Sequence, residues 1–299
     1  MKASNKKRKF TGTIFCDDCG KYKDNREFHI TETIASNICR DCFVIKRDSF
    51  IEKSIPKRFV VGDVHGQYYA LKQVLKKAKF DYDKDSLICL GDVVDGGKYT
   101  KQCIDELMKI KNLIYVMGNH DEWFVKFMES GWREEIWLQQ GGCATLESYG
   151  AKCKEGQKWD VASIIDVTGL KIPVKHKHFF DNAKYYHEED NMLFVHGGIN
   201  PKLPIDMQNK HDLVWDRELI QRCQNGLKTK WDKIFVGHTC TQSIMVKDIY
   251  GLNYSGETKP LNFGNLWCVD CGVGFRGKLC MQNIDTLEYF LSDAQDITK

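Results

Sequence analysis

Along most of the chain, short apolar runs alternate with amphipathic stretches, and each run stops at a polar residue beside glycine. Arg58-Phe59-Val60-Val61 is the first run, short and β-branched, and it predicts a strand. It ends in Gly62-Asp63-Val64-His65-Gly66. Leu71, Val74, Leu75 and Ala78 then recur at the spacing of one helix face. Leu87-Ile88-Cys89-Leu90 repeats the scheme, ending in Gly91-Asp92-Val93-Val94-Asp95, with a helix marked by Cys103, Ile104, Leu107, Met108 and Ile110 behind it. Leu113-Ile114-Tyr115-Val116-Met117 ends in Gly118-Asn119-His120-Asp121. Two later runs behave alike: Met192-Leu193-Phe194-Val195 stops at His196-Gly197-Gly198, and Lys233-Ile234-Phe235-Val236 at Gly237-His238-Thr239. Strands alternating with helices predict a mixed α/β (α+β) chain, a β-sheet structure flanked by helices. The segment 122–186, rich in Trp and Phe, lacks this periodicity and is expected to be mostly helical and to cover the strand ends.

Those strand ends carry the chemistry. Asp63 with His65, then Asp92, Asn119, His196 and His238, each follow an apolar run, and side chains at the carboxyl ends of strands gather at one sheet edge. A single such His is ordinarily a hydrogen-bonded structural residue, and a single Asp a helix cap. Six together, mixing oxygen and nitrogen donors around one central carboxylate, suit a pair of divalent ions such as Mn, Fe or Zn.

Composition narrows the setting. The chain has 299 residues, 42% of them hydrophobic, which excludes a disordered or fibrous chain. No run approaches the ~18–20 apolar residues of a membrane helix. The basic start MKASNKKRKF has no apolar stretch behind it, so a soluble, cytoplasmic protein is expected. The net charge of +3 is unevenly spread: residues 1–58 hold 14 Lys and Arg against 8 Asp and Glu. The change near Ile55-Pro56 divides the chain into an N-terminal module, 1–55, and a body, 56–299. Among 13 cysteines, Cys16/Cys19 and Cys39/Cys42 form two C-x-x-C pairs 19 residues apart, the spacing of a structural four-cysteine zinc site. Such a small piece needs a metal staple to fold. The remaining cysteines, Cys268 and Cys271 included, are expected to pack as small hydrophobes. His176 and His178, alternating in a lysine-rich stretch, are expected on a solvated face. The basic cluster Lys6–Lys9 with Arg40, Lys46 and Arg47, interleaved with aromatics, allows contact with nucleic acid. A solvated tail on a zinc-stabilised knuckle that docks on the body or on a protein partner is the preferred reading.

The motifs at residues 62–66, 91–95, 118–121, 195–198 and 237–239 resemble the signatures of the calcineurin-like metallophosphoesterases. Within that family the chain is similar to the bacterial and phage, lambda-phosphatase-like branch of the phosphoprotein phosphatases. The likeness runs from about Phe59 to Phe290 and takes in Gly141-Gly142, Thr145–Gly150 and Leu213-Val214-Trp215-Asp216-Arg217-Glu218. It implies a metallophosphoesterase β-sandwich flanked by helices. It further implies that Asp63 and His65 hold one metal, that Asp92 bridges both, and that Asn119, His196 and His238 complete the second. A metal-bridging hydroxide would attack phosphorus in line. His120, oriented by Asp95, would protonate the leaving oxygen, and Arg217 would grip the phosphoryl group. One departure stands out: Gly96 follows Asp95 where the family pattern has an arginine that clamps phosphate. The implied activity is a metal-dependent phosphomonoesterase of the serine/threonine protein phosphatase kind. A nucleotide or nucleic-acid phosphoesterase, and a non-catalytic nucleic-acid-binding protein, are the alternatives. The implied substrate is accordingly a phosphorylated protein or a nucleotide, with no membrane partner.

The four-cysteine reading carries its own test. The purified full chain should release one zinc ion when its cysteines are titrated with a mercurial, and Cys39→Ser should lack that ion. A full complement of zinc in Cys39→Ser would overturn the assignment.

Overall fold

A computed structural model describes residues 13–16, 20–24, 55–153, 165–247 and 250–294. The chain divides into two compact units, Met1–Pro56 and Lys57–Lys299. In the first, β1 (Thr13–Cys16) pairs antiparallel with β2 (Lys21–Asp24), Cys16 lying opposite Lys21. Gly20, at φ 65°, turns the chain and donates its N–H to the Cys16 carbonyl at 2.9 Å. Cys16 is buried. Cys19, Cys39 and Cys42, and with them the expected zinc site, lie outside the described residues.

The second unit begins with three parallel neighbours, β3 (Arg58–Val61), β4 (Ser86–Cys89) and β5 (Asn112–Tyr115). A short hairpin follows, β6 (Lys152–Cys153) with β7 (Ile165–Asp166). Next come β8 (Tyr186–Glu189), β9 (Met192–Val195) and β10 (Lys233–Val236), then a second hairpin, β11 (Val246–Lys247) with β12 (Asn253–Tyr254). The chain closes with β13 (Leu261–Phe263), β14 (Leu266–Cys268), β15 (Cys280–Asn283) and β16 (Tyr289–Leu291). They form two five-stranded sheets, ordered β16-β15-β3-β4-β5 and β13-β14-β10-β9-β8. The first is parallel from β3 to β5 with antiparallel β15 and β16 on one side, and the second has a parallel centre, β14-β10-β9, between antiparallel edges.

Parallel strands covered on both faces need apolar residues at every position, which is why these runs read as continuous rather than alternating. The period of two survives in where the side chains go. Val60, Ile88, Phe194 and Phe235 form one buried layer with Val116 and Val269, drawn from both sheets. Their neighbours Phe59, Val61, Leu87 and Cys89 instead join the helices Tyr68–Lys77, Thr100–Leu107 and Asn119–Ser130. Leu193, Val195, Ile234 and Val236 likewise pack with helices Lys210–Trp215 and Glu218–Gln224. The expected sandwich with flanking helices is the fold.

The aromatic segment 122–186 is largely helical among its described residues. Beyond Ser130 it holds Glu135–Trp137, a π-helical turn at Leu138–Gly142, and helices Cys143–Ser148 and Val174–Asp181, interrupted by the β6–β7 hairpin. The solvated-face expectation fails for His176. Its ring is fully buried, with Nδ1 at 2.8 Å from the Tyr149 hydroxyl and Nε2 at 3.1 Å from Asp105. Residues two apart on a helix point to opposite sides, so His178 is exposed while His176 is inside. Cys268 and Cys271 pack in the interior as expected. Among the described residues no helix is long and apolar enough to cross a membrane.

The Phe194 and Phe235 rings stack at 5.2 Å in the inter-sheet layer. Phe194→Ala should therefore lower stability by about 3–5 kcal/mol, read from the denaturant midpoint. A loss below about 1 kcal/mol would mean that this layer is not the shared core.

Candidate metal centre

All six expected ligands converge. Asp63 and His65 follow β3, Asp92 follows β4, Asn119 opens the helix after β5, and His196 and His238 follow β9 and β10. His65 Nε2 lies 3.8 Å from Asp63 and 3.9 Å from Asp92. His196 Nε2 lies 3.4 Å from Asp92 and 2.9 Å from Asn119 Oδ1. Two groups of donor atoms fall within 4.8 Å of one another, His65–Asp92–His120 and Asp92–His196–His238. Asp92 is common to both, the position a bridging carboxylate occupies. The first group also brings in His120, which the sequence pattern placed outside the ligand set.

The loops hold these side chains in unusual backbone. His65, Asp92, Asp95 and His238 all have left-handed φ, between 47° and 66°, a conformation non-glycine residues adopt at about 1–3 kcal/mol each. Gly118 is required because a Cβ there would overlap the Asp92 carboxylate, and Gly237 because a Cβ would overlap that of Asp63. The His196 ring is fixed by the Leu90 carbonyl at 2.6 Å from Nδ1, and the His65 ring by the Val94 carbonyl at 3.1 Å. Nδ1–H donates in both, which turns each Nε2, the nitrogen a cation would take, toward the centre. The His120 amide, in the first turn of helix Asn119–Ser130, donates to Asp92 at 3.0 Å. Asp121 accepts N–H bonds from Asp92, Val93 and Gly118 and the Tyr115 hydroxyl, pinning the two ligand loops together.

Beside the cluster, His120 Nδ1 meets Asp95 at 2.7 Å. The Asp95 carboxylate is fully buried and also accepts from Trp137 Nε1 at 3.0 Å and Thr145 Oγ1 at 2.8 Å. Gly142 makes this possible, since a Cβ there would strike the Trp137 ring. Arg217 is exposed and donates through Nη1 to the His238 carbonyl at 3.0 Å and to Thr239 Oγ1 at 3.2 Å. It has no carboxylate partner among the described residues. Its position is set by Asp216, which accepts the Leu219 N–H and packs against Gly198 of the His196 loop.

Comparison with known proteins decides the family. A family profile described as calcineurin-like phosphoesterase matches residues 57–256. The chain belongs to the calcineurin-like phosphoesterases. It is 23% identical over 230 residues to serine/threonine-protein phosphatase 1 of Salmonella typhimurium, covering 76% of this chain and 91% of that protein. An asymmetrical bis(5'-nucleosyl)-tetraphosphatase of Halalkalibacterium halodurans is 24% identical over 47% of this chain and 56% of its own length. A symmetrical bis(5'-nucleosyl)-tetraphosphatase of Coxiella burnetii is 35% identical, but over 21% of this chain and 22% of its own length. A crystal structure provisionally described as a diadenosine tetraphosphatase shares the fold, with a TM-score of 0.54 at 16% identity over 81% of this chain and 96% of that one.

As a calcineurin-like phosphoesterase the chain is a hydrolase of phosphate esters, and its donor set fits the divalent cations of that family. His238 Nε2 is buried without a hydrogen-bond partner among the described residues, as a nitrogen reserved for a cation would be. Charge crowding points the same way. Burial, then the nearby Asp270, raises the Asp63 carboxyl well above its usual range. Burial likewise raises Asp270 to about 6. Burial opposes charge on His196, yet Asp92 and Asp63 outweigh it and hold the imidazole up to about 10. Cations would relieve this congestion. Asp270, buried at the end of β14, and the supports Asp121, Trp137 and Thr145 carry no role in the sequence reading. The sequence signal for Asp270 is its place directly after the apolar run Leu266-Trp267-Cys268-Val269.

Because protonated Asp63 and His196 must lose protons to bind a cation, affinity should rise with pH. Added Mn²⁺ should therefore raise the thermal midpoint more at pH 8 than at pH 5.5, and Asp92→Asn should abolish the shift at both. An equal shift at the two pH values, or one retained in Asp92→Asn, would overturn the shared-ligand arrangement.

Proposed function

We propose that this phosphoesterase is a dinuclear-metal phosphomonoesterase acting on phosphoserine or phosphothreonine in proteins. The observation that carries the reading is the Asp95–His120 pair set beside an Asp92 shared by two donor groups. Asp63, His65 and Asp92 form the first cation site, and Asp92, Asn119, His196 and His238 the second. Two divalent cations bound there would supply Lewis-acid polarisation of the phosphoryl oxygens and acidify the attacking water.

The protein's own groups do the rest. Asp95 accepts from His120 Nδ1–H, so Nε2 is the nitrogen that gives a proton to the leaving oxygen. Burial disfavours the imidazolium, but Asp92 and Asp95 outweigh it and hold His120 up to about 9, charged at neutral pH. Trp137 and Thr145 keep the Asp95 carboxylate from rotating, and Trp123 backs the His120 ring at 5.0 Å. Arg217, tethered through one nitrogen, keeps its remaining N–H groups available to bind phosphoryl oxygens.

The protein-phosphatase reading is supported by the extent of the match to serine/threonine-protein phosphatase 1, which spans 91% of that relative. A second reading, hydrolysis of dinucleoside polyphosphates, is supported by the tetraphosphatase relatives and by Gly96. At φ 81°, with nothing nearer its Cβ position than His65 at 3.6 Å, residue 96 leaves open the space of the family's clamping arginine.

Turnover of a phosphoserine peptide, diadenosine tetraphosphate and an aryl phosphate by the Mn²⁺-loaded full chain separates the two. The peptide and the aryl phosphate should be hydrolysed, and His120→Ala should lower kcat by about 10²–10⁴-fold with metal content unchanged. Cleavage of diadenosine tetraphosphate alone would replace the first reading with the second, and undiminished turnover in His120→Ala would remove the acid role.

A further inference from the structure

A second concave surface lies away from the strand ends that carry the metal ligands. It is a groove of about 1130 Å³ between the loop 200–204 and the loop 225–231, with Arg222 of helix Glu218–Gln224 at its side. The 225–231 loop leads into the amino end of β10, whereas His238 lies beyond its carboxyl end. The other wall continues the chain that leaves β9 through His196. Groove and metal centre thus share a loop but not a mouth.

The lining has one sign of charge. Lys202, Arg222, Lys228 and Lys230 face it, and none of its lining residues is acidic. Arg222 is paired with Glu218, while Lys202, Lys228 and Lys230 have no carboxylate partner among the described residues. Between the cations lies apolar surface from Leu203, which is 43% exposed, and from half-buried Leu227. Both walls are braced. The Gln208 side chain accepts the Asn200 N–H at 2.8 Å and donates to the Asn200 and Leu203 carbonyls at 2.9 and 3.0 Å. Across the groove, Asn265 Nδ2 donates to Thr229 Oγ1 at 2.8 Å and to the Trp231 carbonyl at 2.5 Å. A site whose walls are already ordered spends little binding energy on ordering them.

We propose that this groove docks a short acidic segment of a partner protein, its carboxylates on Lys202, Lys228 and Lys230 and an aliphatic side chain on Leu203 and Leu227. The chain's own N-terminal module is a poor occupant, because residues 1–58 carry 14 basic side chains against 8 acidic ones. Nucleic acid is disfavoured by the lack of a stacking platform. Trp231 is the one aromatic in the lining, it is 6% exposed, and Lys230 Nζ sits 4.4 Å from its ring centroid. On the protein-phosphatase reading, on which this last step rests, the partner is the phosphorylated substrate. Docking would then raise the effective concentration of its phosphoryl group without altering the chemistry.

The test uses the full chain and a fluorescein-labelled peptide, Glu-Glu-Leu-Glu-Asp-Leu-Glu-Glu, followed by anisotropy. Saturable binding that weakens with added salt is expected, together with about a tenfold loss in the double variant Lys202→Glu, Lys228→Glu. Aryl-phosphate turnover of that variant should be unchanged, which shows that it is folded. Absence of saturable binding, indifference to the charge reversal, or tighter reversal-sensitive binding of a labelled oligouridine of equal charge would overturn the proposal. A phosphoserine peptide extended by the acidic segment should show a lower KM at unchanged kcat, an advantage the double variant loses. Acidic-peptide binding that is reversal-sensitive, with no hydrolysis of either phosphopeptide, would uphold the groove and discard the protein-phosphatase reading.

Discussion

The structure depends on one carboxylate. Asp92 is the only residue common to both donor groups, and it stands on the first sheet while His196, 3.4 Å away, stands on the second. The two sheets must therefore meet at a fixed separation for the centre to exist. That separation is set by the buried layer of Val60, Ile88, Phe194 and Phe235, and close-packed interiors of this kind yield little. Core packing and ligand geometry are consequently one problem here: a change that shifts the sheets moves His196 and His238 relative to Asp63, His65 and Asp92.

The same carboxylate explains the local strain. Asp92 sits at φ 50°, and its loop is held by Asp121, by the His120 amide and by a neighbour, Gly118, too small to collide with it. Strained backbone of this kind persists when several bonds over-determine it. Asp95, three residues on and also left-handed, is locked by Trp137 and Thr145, so the aromatic segment braces the Asp95–His120 pair.

Much of this was legible in the sequence because the ligands follow strands, and strands announce themselves as apolar runs of fixed length. The residues Asp63, His65, Asp92, Asn119, His196 and His238 could be named from position alone, and the structure brings them together. Supports were harder to see. Trp137 and Thr145 act on Asp95 across 42 and 50 residues of chain, a pairing that no local period encodes. His176 departs from the expected solvated face for a related reason: its partners Tyr149 and Asp105 are distant in sequence, and a lysine-rich surrounding describes its neighbours along the chain, not across it. The sandwich, too, required knowing that two parallel-centred sheets share one layer, which the continuous runs permit but do not demand.

Chemistry and selectivity are housed differently. The cluster that can hold cations rests on strand ends and helix starts, whereas the 200–204 and 225–231 loops are surface connections, the part of a fold most tolerant of change. Family membership settles the reaction class and does not name the substrate. Gly96 sharpens the point. A charge-assisted hydrogen bond is worth about 1.5–3 kcal/mol, so on the role proposed for Arg217 a phosphoryl group without a second guanidinium would bind the more weakly. Recognition of the rest of the substrate then matters more, because binding energy from remote contacts is what offsets a weak hold on the reacting group. A preformed, cation-lined groove joined to the His196 loop is the kind of surface from which such energy is drawn.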